Sequence, residues 1–140
     1  MTVSDRPKSG FVALALSLIG SIGIFLAGIY SCDVGCSPPE ELATIEQKLH
    51  DSWSIIGLFA LLFSIPFWSY HLRSFNQNRG HTWYSIATTI IGIFAMAMMI
   101  ISLEDRSGTG MYQRIFVGNL WLWVGVFAWK SWQDKFQKKI

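Results

Sequence analysis

The chain has 140 residues, of which 51% are hydrophobic, 15% aromatic and only 14% charged, with a formal net charge of +2. This composition excludes an ordinary soluble domain, in which about 25% of residues are charged, and a disordered chain, which would have few aromatic residues. Its length is that of one domain, residues 1–140.

Four apolar runs, at about 11–30, 53–70, 82–103 and 115–132, each have the length of a membrane-spanning helix. None of the runs contains an acidic residue, and the only basic residue is Lys130, near the end of the last run. A soluble bundle would need charged residues on its outer faces. The sequence therefore predicts an all-α fold, an integral membrane antiparallel four-helix bundle that forms a single domain.

The first connection, Tyr30–Asp51, holds both cysteines and five of the nine acidic residues. Within it, Ser37 and Glu40 have the spacing of a helix capping box, and Pro38 suits the first helical position. These signals predict a short amphipathic outer helix between helices 1 and 2. This helix either lies on the membrane surface or continues directly into the second span.

Basic residues are concentrated on one side of the predicted membrane. The N-terminus, the connection between the second and third spans, and the C-terminal tail hold eight basic and two acidic residues, whereas the other two connections hold three basic and seven acidic residues. Because basic residues favour the cytoplasmic side, we expect a multi-pass protein of the cell (inner) membrane with both termini in the cytoplasm. Cys32 and Cys36 then lie where disulfides can form, and we expect them to be joined, with free thiols or metal ligands as alternatives.

The later elements carry residues that could bind a redox centre. His71 and His81 bracket the short connection between the second and third spans, where they could hold a haem. The third span contains methionines that could bind copper, although methionine more often fills a core; these are Met96, Met98 and Met99. In the fourth span, we expect Asn119 to form a hydrogen bond with a neighbouring helix and the deeper tryptophans, Trp121 and Trp123, to pack on specific partners.

Three short motifs, "DVGC", "LHD" and "GMYQRI", follow or precede predicted spans. In this order they resemble DUF998, a bacterial and archaeal family of membrane proteins of unknown function, over roughly Tyr30 to Trp121. The resemblance implies that Asp33, His50 and Arg114 are the site residues. All three lie on the outer side of the predicted topology, where we expect them to form one polar cluster that binds a ligand.

These features favour a non-enzymatic multi-pass membrane protein. Its outer polar cluster would bind a lipid or small amphiphile or dock a partner, and the chain would serve as an accessory subunit of a larger membrane complex. No catalytic residue or metal ligand is assigned, because the sequence lacks a phosphate-binding loop, a nucleophile motif and a zinc pattern. Any cofactor is unknown, and the expected partners are membrane lipids and membrane proteins, with no nucleic acid.

Two alternatives remain open. The first is a haem- or copper-binding membrane redox protein, which would use His50 with the cysteines or methionines, or His71 with His81. The second is a small membrane enzyme acting on an anionic lipid, with His50 and Asp33 as acid and base and Arg114 holding the substrate.

The predicted topology can be tested by labelling single introduced cysteines with a membrane-impermeant reagent in intact cells, after replacing Cys32 and Cys36 by serine. We expect labelling at Thr109→Cys and none at Asn76→Cys, because the charge asymmetry places the connection between the second and third spans inside. The opposite pattern would reverse the orientation.

Overall fold

A computed structural model describes residues 8–33, 42–75, 79–105 and 108–137. These residues form four helices, α1 (Ser9–Ile29), α2 (Ile45–Phe75), α3 (Arg79–Asp105) and α4 (Thr109–Gln137), and no strand occurs among them. Each helix corresponds to one of the four predicted apolar runs. The predicted class, an all-α membrane helical bundle, is confirmed.

Three of the described helices are long and apolar enough to cross a membrane, at Ser9–Ile29, Ile45–Arg73 and Gly80–Ser102. Helix α4 has 29 residues but is not apolar enough by the same measure. It contains four tryptophans, a residue that membrane proteins concentrate at the water interface. The chain is therefore a membrane protein, and a single domain of four spans stays a prediction.

Helix α2 starts well before the second apolar run. Residues from Ile45 onward continue into the span without a break, which corresponds to the second arrangement that the sequence allowed for the amphipathic segment. The predicted capping box of Ser37 and Glu40 lies outside the described residues. The helix instead begins after Thr44, whose Oγ1 accepts a hydrogen bond from the Gln47 amide at 3.1 Å, the position of an N-cap residue.

By its internal contacts the chain divides into two compact units, Met1–Trp83 and Tyr84–Ile140. In the first unit the backbones of α1 and α2 touch at two glycines. A Cβ atom on Gly23 would lie 2.7 Å from the Cα atom of Gly57 and 3.0 Å from the carbonyl oxygen of Trp53. No side chain fits between the helices here, so glycine is required for this approach.

A second contact between α1 and α2 lies nearer the start of α1. The indole Nε1 of Trp68 donates a hydrogen bond to Oγ of Ser17 at 2.9 Å, and Ser17 donates to the carbonyl oxygen of Ala13 at 2.8 Å. Further along, the ring of His71 packs against the backbone of Gly10. Early positions of α1 thus meet late positions of α2, so the two helices are antiparallel.

In the second unit, two hydrogen bonds connect α4 to α3. The Nδ2 of Asn119 donates to the carbonyl oxygen of Thr88 at 2.9 Å, which confirms the expectation for this residue, and Nε1 of Trp123 donates to Oγ of Ser85 at 2.9 Å. Trp123 is buried and stacks on Phe127. The side chain of Trp121 is 63% exposed, and its packing on a specific partner stays a prediction. The Asn119 amide and the Trp123 indole N–H are polar groups that would be costly to leave unpaired within a bilayer.

The glycine contact between α1 and α2 can be tested by comparing Gly23→Ala with Gly28→Ala. A methyl group at Gly23 would collide with the backbone of Gly57, whereas no described atom lies within 4 Å of a Cβ atom at Gly28. We expect Gly23→Ala to lower the free energy of unfolding in mixed micelles by about 1–3 kcal/mol, the usual effect of overpacking. Gly28→Ala should leave it unchanged or raise it, because alanine favours helix. Equal effects would contradict the contact.

Candidate functional site

Asp33, the first of the three predicted site residues in the chain, lies four residues after the end of α1 and contacts the start of α2. Its Oδ1 accepts a hydrogen bond from Oγ1 of Thr44 at 2.8 Å, and its Oδ2 accepts one from the Thr44 amide at 3.0 Å. One N–H group and one O–H group at the start of α2 therefore donate to an acceptor in the segment that follows α1. A carboxylate in this position also interacts favourably with the positive end of the helix dipole.

Gln47 completes the connection from the other side. It is almost fully buried, at 1% exposure, and its Oε1 accepts a hydrogen bond from the backbone amide of Asp33 at 2.7 Å. Its Nε2 donates to Oδ1 of Asp51 at 2.8 Å, one turn further along α2. Both ends of this buried amide are thus paired, as its burial requires.

His50 connects α2 to the end of α1. Its Nδ1 lies 2.8 Å from the carbonyl oxygen of Ala27 and 3.1 Å from that of Tyr30. Both oxygens belong to the C-terminal turn of α1, where carbonyl groups have no partner within the helix. A carbonyl oxygen can only accept, so Nδ1 must carry the proton. In the neutral ring Nε2 is then an acceptor.

Four side chains thus tie the C-terminal end of α1 to the N-terminal end of α2; we call them the helix clamp, formed by Asp33, Thr44, Gln47 and His50. The end of the first unit that contains them is the outer end of the predicted topology. His50 is half-buried, and no hydrogen bond of its Nε2 occurs within the described ranges. Around it, Glu46 and Asp51 are exposed. The outer end therefore presents hydrogen-bond acceptors at its surface.

The other predicted site residues are Arg114 and the two cysteines. Arg114 is exposed on α4, in the unit Tyr84–Ile140, whereas Asp33 and His50 lie in the unit Met1–Trp83. Their convergence with Arg114 stays a prediction. Cys32 is half-buried directly before Asp33. Cys36 lies outside the described residues, so the disulfide between them also stays a prediction.

The residues considered for a redox centre occupy packed positions. His71 contacts Gly10 and meets the edge of Trp68, with ring centroids 6.0 Å apart, while His81 is buried in the first turns of α3. In the part of the chain that the structure describes, no group of three or more His, Cys, Asp or Glu residues is placed to hold a metal ion. The described geometry adds no support for the redox alternative.

Two members of the clamp, Thr44 and Gln47, were not among the predicted site residues. Their spacing, Thr-x-x-Gln, is itself that of a capping box, and it is visible in the sequence. The first role of that motif is kept, since Oγ1 of Thr44 accepts the Gln47 amide. In the second role Asp33 replaces Gln47 as the acceptor of the Thr44 amide, and Gln47 accepts the Asp33 amide instead.

Helices of membrane-spanning length and apolar composition define the chain as a helical integral membrane protein. A family model described as "Protein of unknown function (DUF998)" matches residues 1–130. The chain therefore belongs to the DUF998 family, as its three motifs suggested. No curated protein and no solved structure matches it.

The cap at the start of α2 can be tested with Thr44→Val, which keeps the shape of the side chain but removes its hydroxyl. We expect the free energy of unfolding to fall by about 0.5–2 kcal/mol, the usual cost of losing an N-cap, and hydrogen exchange of the Gln47 amide to accelerate. Thr44→Ser should have little effect because it keeps the hydroxyl.

A matched control for the cap is Ser52→Ala. The Ser52 hydroxyl is exposed, and among the described residues it bonds only to the carbonyl oxygen of Lys48, within the same helix. Protection of the Gln47 amide that is unchanged in Thr44→Val, or reduced equally in Ser52→Ala, would contradict the clamp.

Proposed function

We propose that this chain is a non-enzymatic membrane protein whose outer end binds the polar group of a lipid or small amphiphile. The observation that carries the proposal is the orientation of His50. Its Nδ1 donates to the carbonyl oxygens of Ala27 and Tyr30, so in the neutral ring the other nitrogen, Nε2, is an acceptor at the predicted outer end. A ring held in this way can receive a hydrogen bond from a ligand without reorienting.

The surroundings of His50 support an amphiphile rather than a fully soluble ligand. Leu42 and Ile45 are 73% and 78% exposed at the same end of α2, and Trp53 is half-buried one turn deeper than His50. Tryptophan and exposed aliphatic side chains are typical of the zone where lipid head groups meet acyl chains. Polar acceptors and apolar surface are thus available within one short segment, residues 42–53.

The bonds of Asp33 argue against the enzyme alternative. Each of its carboxylate oxygens accepts a hydrogen bond from Thr44. Asp33 therefore acts as an acceptor for the start of α2 and not for a substrate. A general acid or base must reach the proton that it transfers. We therefore assign Asp33 a supporting role, in which it positions the start of α2 and, through it, His50.

A second candidate, the role of accessory subunit, is favoured by one face of α4. Gly118 and Gly125 are exposed, and no described atom lies within 4 Å of a Cβ atom built on either glycine. In the first unit, glycines are the positions at which two helices touch, and small residues commonly serve this purpose in membranes. A partner helix could approach α4 closely at the same two positions.

The amphiphile proposal can be tested by measuring the lipid that remains bound after purification in a mild detergent. His50→Asn is the informative variant, because the shorter amide can still donate to the carbonyl oxygens of α1 but has no nitrogen at the place of Nε2. Loss of one hydrogen bond, about 1 kcal/mol, corresponds to about fivefold less retained lipid.

The control for this measurement is Ser52→Ala, which should retain lipid like the wild type. Protection of the Gln47 amide shows whether each variant keeps the helix clamp. A wild-type protein without bound amphiphile, or equal retention in His50→Asn with an intact clamp, would refute the proposal.

A further inference from the structure

We infer that the head group recognised at the outer end carries a primary ammonium group, as in an aminophospholipid. This inference rests on the proposed function and specifies its ligand. Three observations lead to it: the acceptor state of His50 Nε2, the position of Glu46 on the same helix, and the excess of acidic side chains around them.

The first step concerns the ring nitrogen. Because Nδ1 of His50 donates to Ala27 and Tyr30, the neutral ring offers only a lone pair at Nε2. A ligand group placed there must carry a hydrogen atom on nitrogen or oxygen. Phosphodiester, carboxylate and quaternary ammonium groups have none to donate at neutral pH, so they are poor matches for this atom.

The second step concerns the carboxylate of Glu46. Glu46 and His50 are four residues apart in α2, so their side chains lie on the same face, one turn apart. Glu46 is exposed, and no hydrogen bond of its side chain occurs in the described part of the chain. The Glu46 carboxylate is thus a second acceptor on the same helix face as His50, and the proposed ligand would donate to both.

The third step concerns charge. The described residues of the outer end, 30–33 and 42–53, contain the acids Asp33, Glu46 and Asp51 and a single base, Lys48. The resulting negative potential attracts a cation and disfavours an anion. A primary ammonium group satisfies both requirements, because it is positively charged and carries several N–H donors. A hydroxyl group would satisfy the first requirement alone.

The test uses the full-length protein in phosphatidylcholine nanodiscs that contain an equal minor share of one test lipid, with bound lipids counted by native mass spectrometry. The test lipids are phosphatidylethanolamine and its N-methylated derivatives, which lose N–H donors stepwise until phosphatidylcholine has none while the positive charge is kept. We expect binding to fall along this series, with a preference for phosphatidylethanolamine over phosphatidylcholine of at least about fivefold, equivalent to one net hydrogen bond.

Two variants identify the groups responsible. His50→Asn and Glu46→Gln should each reduce the preference for phosphatidylethanolamine, and Ser52→Ala should keep it. Asn at position 50 retains a donor for the end of α1, so Gln47 amide protection should remain, which separates ligand loss from unfolding. Free ethanolamine added to the nanodiscs distinguishes the source: displacement of the lipid indicates a site for soluble amines, and lack of displacement indicates a site that requires the lipid.

The inference and the proposed function fail in different ways. If lipid binds and depends on His50 but all head groups bind equally, the ammonium assignment is wrong while amphiphile binding at the outer end stands. If no lipid binds above the level of His50→Asn, both are wrong. A preference for phosphatidylglycerol, an anionic lipid without an ammonium group that is compared in the same way, over phosphatidylethanolamine would also overturn the assignment.

Discussion

The direct backbone contact between α1 and α2 at Gly23 and Gly57 is the constraint on which the rest of the first unit depends. Within a bilayer, apolar side chains gain little by leaving lipid for another helix, so association relies on close packing and hydrogen bonds. Glycine removes the side chains that would hold the helices apart, and a Cβ atom at Gly23 would overlap the backbone of α2. This approach sets the register in which the two helices meet.

The helix clamp follows from that register. Ala27 lies one turn beyond Gly23 on α1, and His50 lies about two turns before Gly57 on α2, so the ring reaches the unpaired carbonyl groups at the end of α1. The chain then leaves α1 in an extended conformation at Tyr30, which brings Asp33 to the first amide groups of α2. His50 on α2 therefore supplies a donor for the unpaired carbonyl groups at the end of α1, and Asp33, just beyond α1, supplies an acceptor for the Thr44 amide at the start of α2.

The fold was largely predictable because long apolar runs without acids have few alternatives to membrane helices. The hydrogen bond of Asn119 was predictable for the same reason, since a lone amide within a bilayer needs a partner. The start of α2 was harder. The first connection contains two capping signals, Ser37 with Glu40 and Thr44 with Gln47, and local sequence cannot show that Asp33 will return to bond Thr44.

The candidate site was predictable only in part. The sequence singled out Asp33 and His50, yet it could not distinguish a ligand-binding role from a structural one, because that depends on which atoms are already paired. The ring orientation of His50 depends on the carbonyl groups of Ala27 and Tyr30, which lie 23 and 20 residues before it in sequence. The register of Gly23 against Gly57 is equally a property of two helices, and neither helix encodes it alone.

The structural role of His50 is compatible with the binding role that we propose, because the two use different nitrogen atoms. Ending α1 requires only a donor, and a lysine or arginine near the carbonyl groups would supply one. Neither of those side chains has an acceptor atom. Histidine donates from Nδ1 to the carbonyl groups at the end of the helix and, when neutral, keeps an acceptor at Nε2. The acidic side chains around it would otherwise attract a basic side chain. Helix capping by itself therefore does not use the acceptor at Nε2, whereas the recognition of a donating cation that we propose would use both the ring and its acidic surroundings.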